Sequence, residues 1–233
     1  MNDLDLARFD ALTFDCYGTL VDWETGILAA IRPVFASRGV EISDDDLLES
    51  FGRAEAEIEA GPYRRYRDVL GEVLRRVAAE RGIMPTNGEV DAFGGSVVDW
   101  PPFADSRDAL RRLATRYRLG VITNCDDDLF AASNERLGVT FDPIVTAQQV
   151  GAYKPNHRNF EVMFERLALP RERILHVAQS LFHDHVPARE LGLSTVWVDR
   201  RRGQSGAGAT KPAAAQPDVI VPDMATLAQL APV

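Results

Sequence analysis

Short apolar runs that alternate with helix-patterned segments confine this chain of 233 residues to a narrow set of folds. Ala11 to Phe14, Leu119 to Thr123, Ile174 to Ala178 and Ser194 to Val198 each read as a buried strand, and Val219 to Val221 as a fifth. The segments between them carry helical spacing. Leu110, Leu113 and Tyr117 follow a Ser106 cap. Phe160, Phe164 and Leu167 recur every three to four residues, and Val186 to Leu191 stops at Gly192, a C′ glycine. Strand–helix–strand alternation predicts a parallel sheet covered by helices on both faces.

One stretch breaks the alternation. From Asp22 to Trp100 only helical patterns occur. Ile27, Leu28, Ile31, Val34 and Phe35 form one apolar face, with Pro33 a kink and Gly39 its end. Ser43 and Asp46 resemble a capping box ahead of Leu47, Leu48, Phe51 and Ile58. Val69, Leu70, Val73, Leu74 and Val77 form a third face ending at Gly82, and a fourth helix is expected from Glu89 to Val98 despite Gly94-Gly95. The expected fold class is therefore α/β: a Rossmann-like parallel-sheet core domain from residues 1–21 and 99–233, with an all-helical insertion at 22–98. The Gly/Ala/Pro-rich segment Arg201 to Gln216 reads as a mobile loop before the last strand.

Charge and cysteine content narrow the function. The formal net charge of −9, with Arg200-Arg201-Arg202 the one short basic run, disfavours a nucleic-acid or anionic-membrane partner. No apolar stretch approaches the ~20 residues that span a bilayer. The acidic start MNDLDLARFD is unlike a signal peptide, and two cysteines make no disulfide framework, which fits a reducing cytoplasm.

In a parallel α/β sheet, ligands bind beyond the carboxyl ends of the strands. Four polar elements fall at such ends: Asp15, Thr123-Asn124, Lys154-Pro155 and the turn from Gln179 to Asp184. A carboxylate leaving a buried strand needs compensating donors, which the turn at Gly18 can supply. So held, it can attack an electrophile and form an ester. An Asp that merely caps a turn is the bland alternative. Thr123 and Asn124 can hold an anionic group or an oxyanion, or simply end a strand. Asp126, Asp127 and Asp128 read as favourable charges in a first helical turn. His176, His183 and His185 match no strong metal-ligand spacing, and Cys16 and Cys125 read as small buried filler.

The segment Asp15-Cys16-Tyr17-Gly18-Thr19-Leu20, with the other three elements in this order, resembles the haloacid dehalogenase superfamily over nearly the whole chain. The resemblance implies a helical cap domain at 22–98, a nucleophile at Asp15, and a Lys154 that neutralises it. Phosphatases of that superfamily carry a second Asp, a general acid and metal ligand, where this chain has Tyr17. Asp-x-Tyr-Gly-Thr is the pattern of the type II (L-2-haloacid) dehalogenases, whose halide leaves without a proton. The fourth element departs from both branches, since Gln179 and Leu181 stand where type II enzymes have Ser and Asn, while Asp184 keeps its place. Phe160 likewise replaces a Tyr.

The resemblance thus implies a hydrolase that cleaves the carbon–halogen bond of a short, haloacetate-like 2-haloacid through an aspartyl ester, giving a 2-hydroxy acid. Its catalytic residues would be Asp15, Lys154 and Asp184. Tyr17, Gly18, Thr19, Thr123 and Asn124 would bind substrate, and Arg53 on the cap, with Arg64 and Arg65 competing, would receive the halide. No metal and no cofactor are implied. The partner is a small anionic substrate, and the resemblance admits a homodimer. The alternatives are a phosphatase of a small phosphorylated metabolite and a non-catalytic small-anion-binding protein.

Overall fold

The computed structural model describes residues 4–204, 206 and 208–232. Six strands, all parallel, form one sheet: β1 (Ala11–Phe14), β2 (Arg118–Thr123), β3 (Ile144–Thr146), β4 (Ile174–Ala178), β5 (Ser194–Val198) and β6 (Val219–Val221), in spatial order β3-β2-β1-β4-β5-β6. Every residue of β1 and β4 is buried, as expected of strands covered on both faces. The strand order reverses direction at β1, between β2 and β4, so the crevice at the carboxyl ends of these three strands is where a site forms. Five strands match the apolar runs of the sequence. The sixth, β3, is an edge strand of three residues following Pro143, too short to show a pattern.

Four helices follow β1 and make the cap: α1 (Trp23–Ala36), α2 (Asp44–Glu59), α3 (Tyr66–Ala79) and α4 (Asn87–Gly95). Among the described residues, no strand lies between Trp23 and Gly95. Ser43 caps α2, accepting from Asp46 N at 3.2 Å. A reciprocal capping box closes the start of α4, where Thr86 and Glu89 exchange side-chain-to-backbone bonds. Gly94, doubtful in a helix by propensity, allows α4 to lie against α3. A Cβ there would stand 2.6 Å from the Arg67 carbonyl oxygen. Phe51 and Phe93 meet edge-to-face inside the cap, and Trp23 against Phe51 continues that apolar body toward the core. No helix among the described residues is long and apolar enough to cross a membrane.

The segment after β5 corrects the expectation of a mobile loop. Ser205 and Ala207 lie outside the described residues, but Ala209 and Thr210 are buried. Ala209 N donates to Glu24 Oε1 (2.9 Å), Arg201 pairs with Glu24, and Thr210 donates to Gln179 Oε1 (3.1 Å). Gly52 of α2 packs against this strap so closely that a Cβ would stand 2.4 Å from the Ala209 carbonyl oxygen. Three cap contacts and one core contact hold a segment whose composition alone reads as loose.

Candidate active site

Asp15 follows β1 directly and is nine-tenths buried. Its carboxylate accepts from both sides: Lys154 Nζ donates to Oδ1 at 2.8 Å, and Thr19 Oγ1 donates to Oδ2 at 2.7 Å. Thr19 in turn accepts from Gln179 N at 2.8 Å, tying the turn after β1 to the turn after β4. Gly18 makes that turn possible with φ +88, a conformation side chains rarely adopt. Its amide donates to Val21 O at 2.8 Å, so it is engaged within the turn and not offered to a ligand.

Lys154 is the buried hub. Its ammonium has three N–H donors, and all three are used: Asp15 Oδ1, Asp184 Oδ1 at 2.7 Å and the Ile122 carbonyl at 3.0 Å. Burial opposes its charge, yet the two carboxylates hold its pKa above that of ordinary lysine. Burial and the neighbouring Asp184 push Asp15 upward, against Lys154 and Thr19. Asp184 ends well below the carboxylate range, because Lys154 and the His176 ring at 3.0 Å outweigh its burial. Its second oxygen, Oδ2, is buried and meets no donor among the described residues.

Asn124 positions Lys154. Its Oδ1 accepts from Lys154 N at 2.7 Å and its Nδ2 donates to Lys154 O at 3.2 Å, a fork that fixes the loop carrying the lysine. Thr123 ends β2 fully buried, with its hydroxyl unpartnered among the described residues. It does not line the chamber that holds Asp15. Tyr17 does line it, but its hydroxyl turns aside to Ser133 Oγ (3.0 Å) and Cys125 Sγ (3.4 Å). Burial, with Cys125 and Cys16 alongside, pushes that phenol well above the ordinary tyrosine range.

The chamber over Asp15 has a volume of about 30 Å³, and its cap wall is Trp23, Glu55, Glu59 and Tyr66. A vestibule of about 430 Å³ adjoins it, sharing Glu59, Lys154 and His183 and walled further by Tyr63, Tyr153 and Phe182. This overturns the expectation for Arg53. That side chain is 56% exposed, paired with Glu80 at 2.7 Å, and Arg64 and Arg65 are exposed as well. The reason is angular. On α2 the buried stripe runs Leu47, Leu48, Phe51, Glu55, Ile58, and Arg53 projects from another side. Glu55, four residues after Phe51, and Glu59, four further on, are the ionisable groups of α2 that reach the site. Acids set on an apolar stripe were the signal available for them.

The three histidines serve separate partners. His176 joins Thr13 (2.9 Å) and Asp184, His185 Nε2 meets Ala178 O (3.0 Å), and His183 joins Ser180 (3.2 Å) on the chamber wall. Burial pushes His183 down to about 4, so it is neutral at pH 7. The donor set does not fit the divalent cation that phosphatases of the resembling superfamily hold. An ammonium stands between the two carboxylates, residue 17 is a phenol turned toward Ser133, and the Gln179 side-chain oxygen accepts from Thr210. Asp126, read as a first-turn charge, does more than that. It accepts from the Tyr66 and Arg67 amides and so caps α3 from the core.

A family model described as haloacid dehalogenase-like hydrolase matches residues 9–180. The chain is 25% identical over 202 residues to an (S)-2-haloacid dehalogenase of Pseudomonas putida, covering 85% of this chain and 88% of that protein. It is 35% identical over 196 residues to a glyceraldehyde 3-phosphate phosphatase of Methanothermobacter thermautotrophicus, covering 81% and 85%. Among solved structures, an L-2-haloacid dehalogenase from Xanthobacter autotrophicus superimposes with a TM-score of 0.78 at 21% identity, over 95% of this chain and 98% of that one.

Proposed function

The chain belongs to the haloacid dehalogenase-like hydrolases, and within that family we propose that it hydrolyses the carbon–halogen bond of a small 2-haloacid through an ester on Asp15. The observation that carries this reading is Tyr17. The position beside the nucleophile where a phosphatase needs a proton donor holds a phenol committed to Ser133 and Cys125. An alkoxide leaving a phosphate needs a proton, whereas a halide does not.

The steps follow from the groups present. An Asp15 oxygen attacks the halogen-bearing carbon, the new C–O bond forms as the C–X bond breaks, and the halide departs with the bonding pair. Lys154, held by Asn124, favours the carboxylate form of Asp15 and holds it beside the small chamber. Water then adds to the Asp15 carboxyl carbon. Asp184 Oδ2, a buried acceptor without a protein donor among the described residues, orients that water. Cleavage of the acyl–oxygen bond releases the 2-hydroxy acid and restores the carboxylate, with one proton passing to solvent. The division into domains, core at 1–21 and 99–233 and cap at 22–98, supports the same reading, because the cap closes over the site and limits what enters.

A second reading, hydrolysis of a small phosphate ester, is favoured by the 35% identity to the archaeal phosphatase. One experiment separates the two: halide release from a panel of small haloacids beside phosphate release from small phosphate esters, without and with magnesium. The dehalogenase reading expects halide release that chelator leaves intact. Phosphate release that appears only with magnesium, and no halide, sinks it. Single turnover in oxygen-18 water tests the ester. Label must enter Asp15 and leave the first product unlabelled.

A further inference from the structure

Four carboxyl groups and one ammonium line the same small chamber. Asp15, Asp184 and Lys154 come from the core, while Glu55 and Glu59 descend from α2. Lys154 has no N–H left for the cap acids, because its three donors go to Asp15, Asp184 and Ile122. Glu59, with a side chain only 5% exposed, therefore has no cation partner among the described residues. Its Oε2 accepts from Asn124 Nδ2 at 3.2 Å, the His183 ring stands 3.9 Å away, and its Oε1 is buried with no partner among the described residues. Glu55 sits one turn behind it, accepting from the Tyr66 hydroxyl at 2.7 Å.

Two more uncompensated negative charges in this space are physically untenable beside Asp15, and more so with an anionic substrate present. Burial and Glu55 on the same helix disfavour an anion on Glu59, with Asp15 and Asp184 opposite and the uncharged phenols Tyr66 and Tyr153 alongside; together they outweigh the Lys154 charge and the Asn124 amide, which favour one. Lys154 is fully engaged and His183 is neutral. Burial alone pushes Glu55 up to about 8, and burial together with Glu55 pushes Glu59 well above its usual range.

We propose that Glu59 acts as a carboxylic acid that donates a hydrogen bond from the cap wall to the departing halide, with its largest effect on the poorest leaving group. This rests on the dehalogenase reading. Displacement is in line, so a halide expelled by Asp15 on the core floor leaves toward the cap wall, where Glu59 stands. The proton stays on Glu59, and the halide leaves with its electron pair. A neutral acid suits fluoride above the larger halides, because fluoride is the strongest hydrogen-bond acceptor among them and the poorest leaving group without help.

Two variants and two measurements test this. Glu59→Gln keeps a neutral donor and the Asn124 contact, while Glu59→Met keeps the bulk and loses the donor. On fluoroacetate, E59Q is expected to retain about a tenth of wild-type kcat/KM, and E59M to fall by about 10³. On bromoacetate, E59M is expected to lose only about tenfold, since bromide needs less help. Wild-type turnover falls as pH rises far enough to ionise Glu59, whose burial beside Glu55 raises its pKa well above the usual carboxylate range, and E59Q lacks that fall. E59Q as inactive as E59M, or E59M losing equally on both substrates, overturns the proposal.

Fluoride binding, followed by ¹⁹F NMR titration, gives a readout independent of turnover. Wild type and E59Q should bind fluoride at least about tenfold more tightly than E59M. If that order holds while wild type releases no halide from any haloacid, the dehalogenase reading fails and the Glu59 donor stands. Equal fluoride affinity in all three proteins overturns the donor, whatever the haloacids show.

Discussion

The Tyr66 amide donates to Asp126 Oδ1 at 3.0 Å, so a buried aspartate of the core caps a helix of the cap. The Arg67 amide adds a second bond to Oδ2 at 3.2 Å. Free N–H groups at a helix start need acceptors, and α3 has none of its own because Arg65 in its N-cap position makes no side-chain bond. Asp126→Ala is expected to cost about 1–2 kcal/mol, with Tm falling by about 2–4 °C for each kcal/mol in a chain of this size. Asp126→Asn, which keeps one acceptor oxygen, should lose about half as much. Thermal unfolding of the two variants measures both, and equal Tm values for D126A and wild type would contradict the capping role.

The strap contact at Gly52 sets a second expectation. A methyl group at Gly52 would stand 2.4 Å from the Ala209 carbonyl, which belongs to backbone and cannot swing aside. Gly52→Ala should push residues 208–210 off α2 and cost about 1–3 kcal/mol as an overpacking change. It also breaks the Thr210–Gln179 bond and loosens the chamber wall. Limited trypsin digestion should then cut after Arg201 or Arg202 faster than in wild type. Digestion at the wild-type rate would mean that the strap does not depend on this packing.

Lys154 carries a third. Lys154→Met leaves Asp15 and Asp184 facing each other without a cation, at a cost of about 3–5 kcal/mol near pH 7. The pH dependence has a definite sign. In wild type, the depressed Asp184 adds stability that is present above the ordinary carboxylate range and lost as pH falls through its folded value. Without the lysine, burial and mutual repulsion raise the pair, so the variant loses stability as pH rises and a proton is released. The gap between wild type and K154M is therefore widest near neutrality and narrows toward about pH 4. Urea unfolding at several pH values reads it out, and a gap that widens on acidification would refute the assignment.

Much of this could be read from the chain, and the parts that could not share a cause. Strands β1, β4, β5 and β6 are runs whose residues need no partner to be recognised. Asp15 and Asp184 meet because they follow the neighbouring strands β1 and β4, whereas Lys154, in a loop past β3 and the short helix Ala147–Val150, is brought to them by its bonds with Asn124. Three features depended on contacts between distant segments. β3 is three residues long and gains its place from pairing with β2. The 208–210 strap has the composition of a loop and is ordered by Glu24, Gly52 and Gln179. Asp126 precedes one helix and caps another, a role no local pattern contains. The error at Arg53 differs in kind, because the helical stripe already placed Glu55 inside and Arg53 away from it. There the likeness to a family outweighed the periodicity, and the periodicity agrees with the structure.

Tyr17 supplies the last test, because it separates a packing role from an acid role. Its ring meets Trp100 edge-to-face at 5.7 Å, and its hydroxyl is shared between Ser133 and Cys125. Tyr17→Phe keeps the ring and removes the hydroxyl. Ser133 retains the Leu129 carbonyl at 3.4 Å as a partner, so the lost bond costs about 1 kcal/mol of stability. If Tyr17 only packs, kcat/KM for a haloacid falls by less than about tenfold, with no change in the shape of the pH profile. If the phenol instead protonated a leaving group, Y17F would lose at least about a hundredfold and the alkaline limb of the profile would change with it. The geometry favours the first outcome, since a hydroxyl tied to Ser133 and Cys125 on the far side of the ring cannot also reach a group leaving Asp15. A hundredfold loss with unchanged thermal stability would reverse that assignment and, with it, the reason for preferring halide over phosphate.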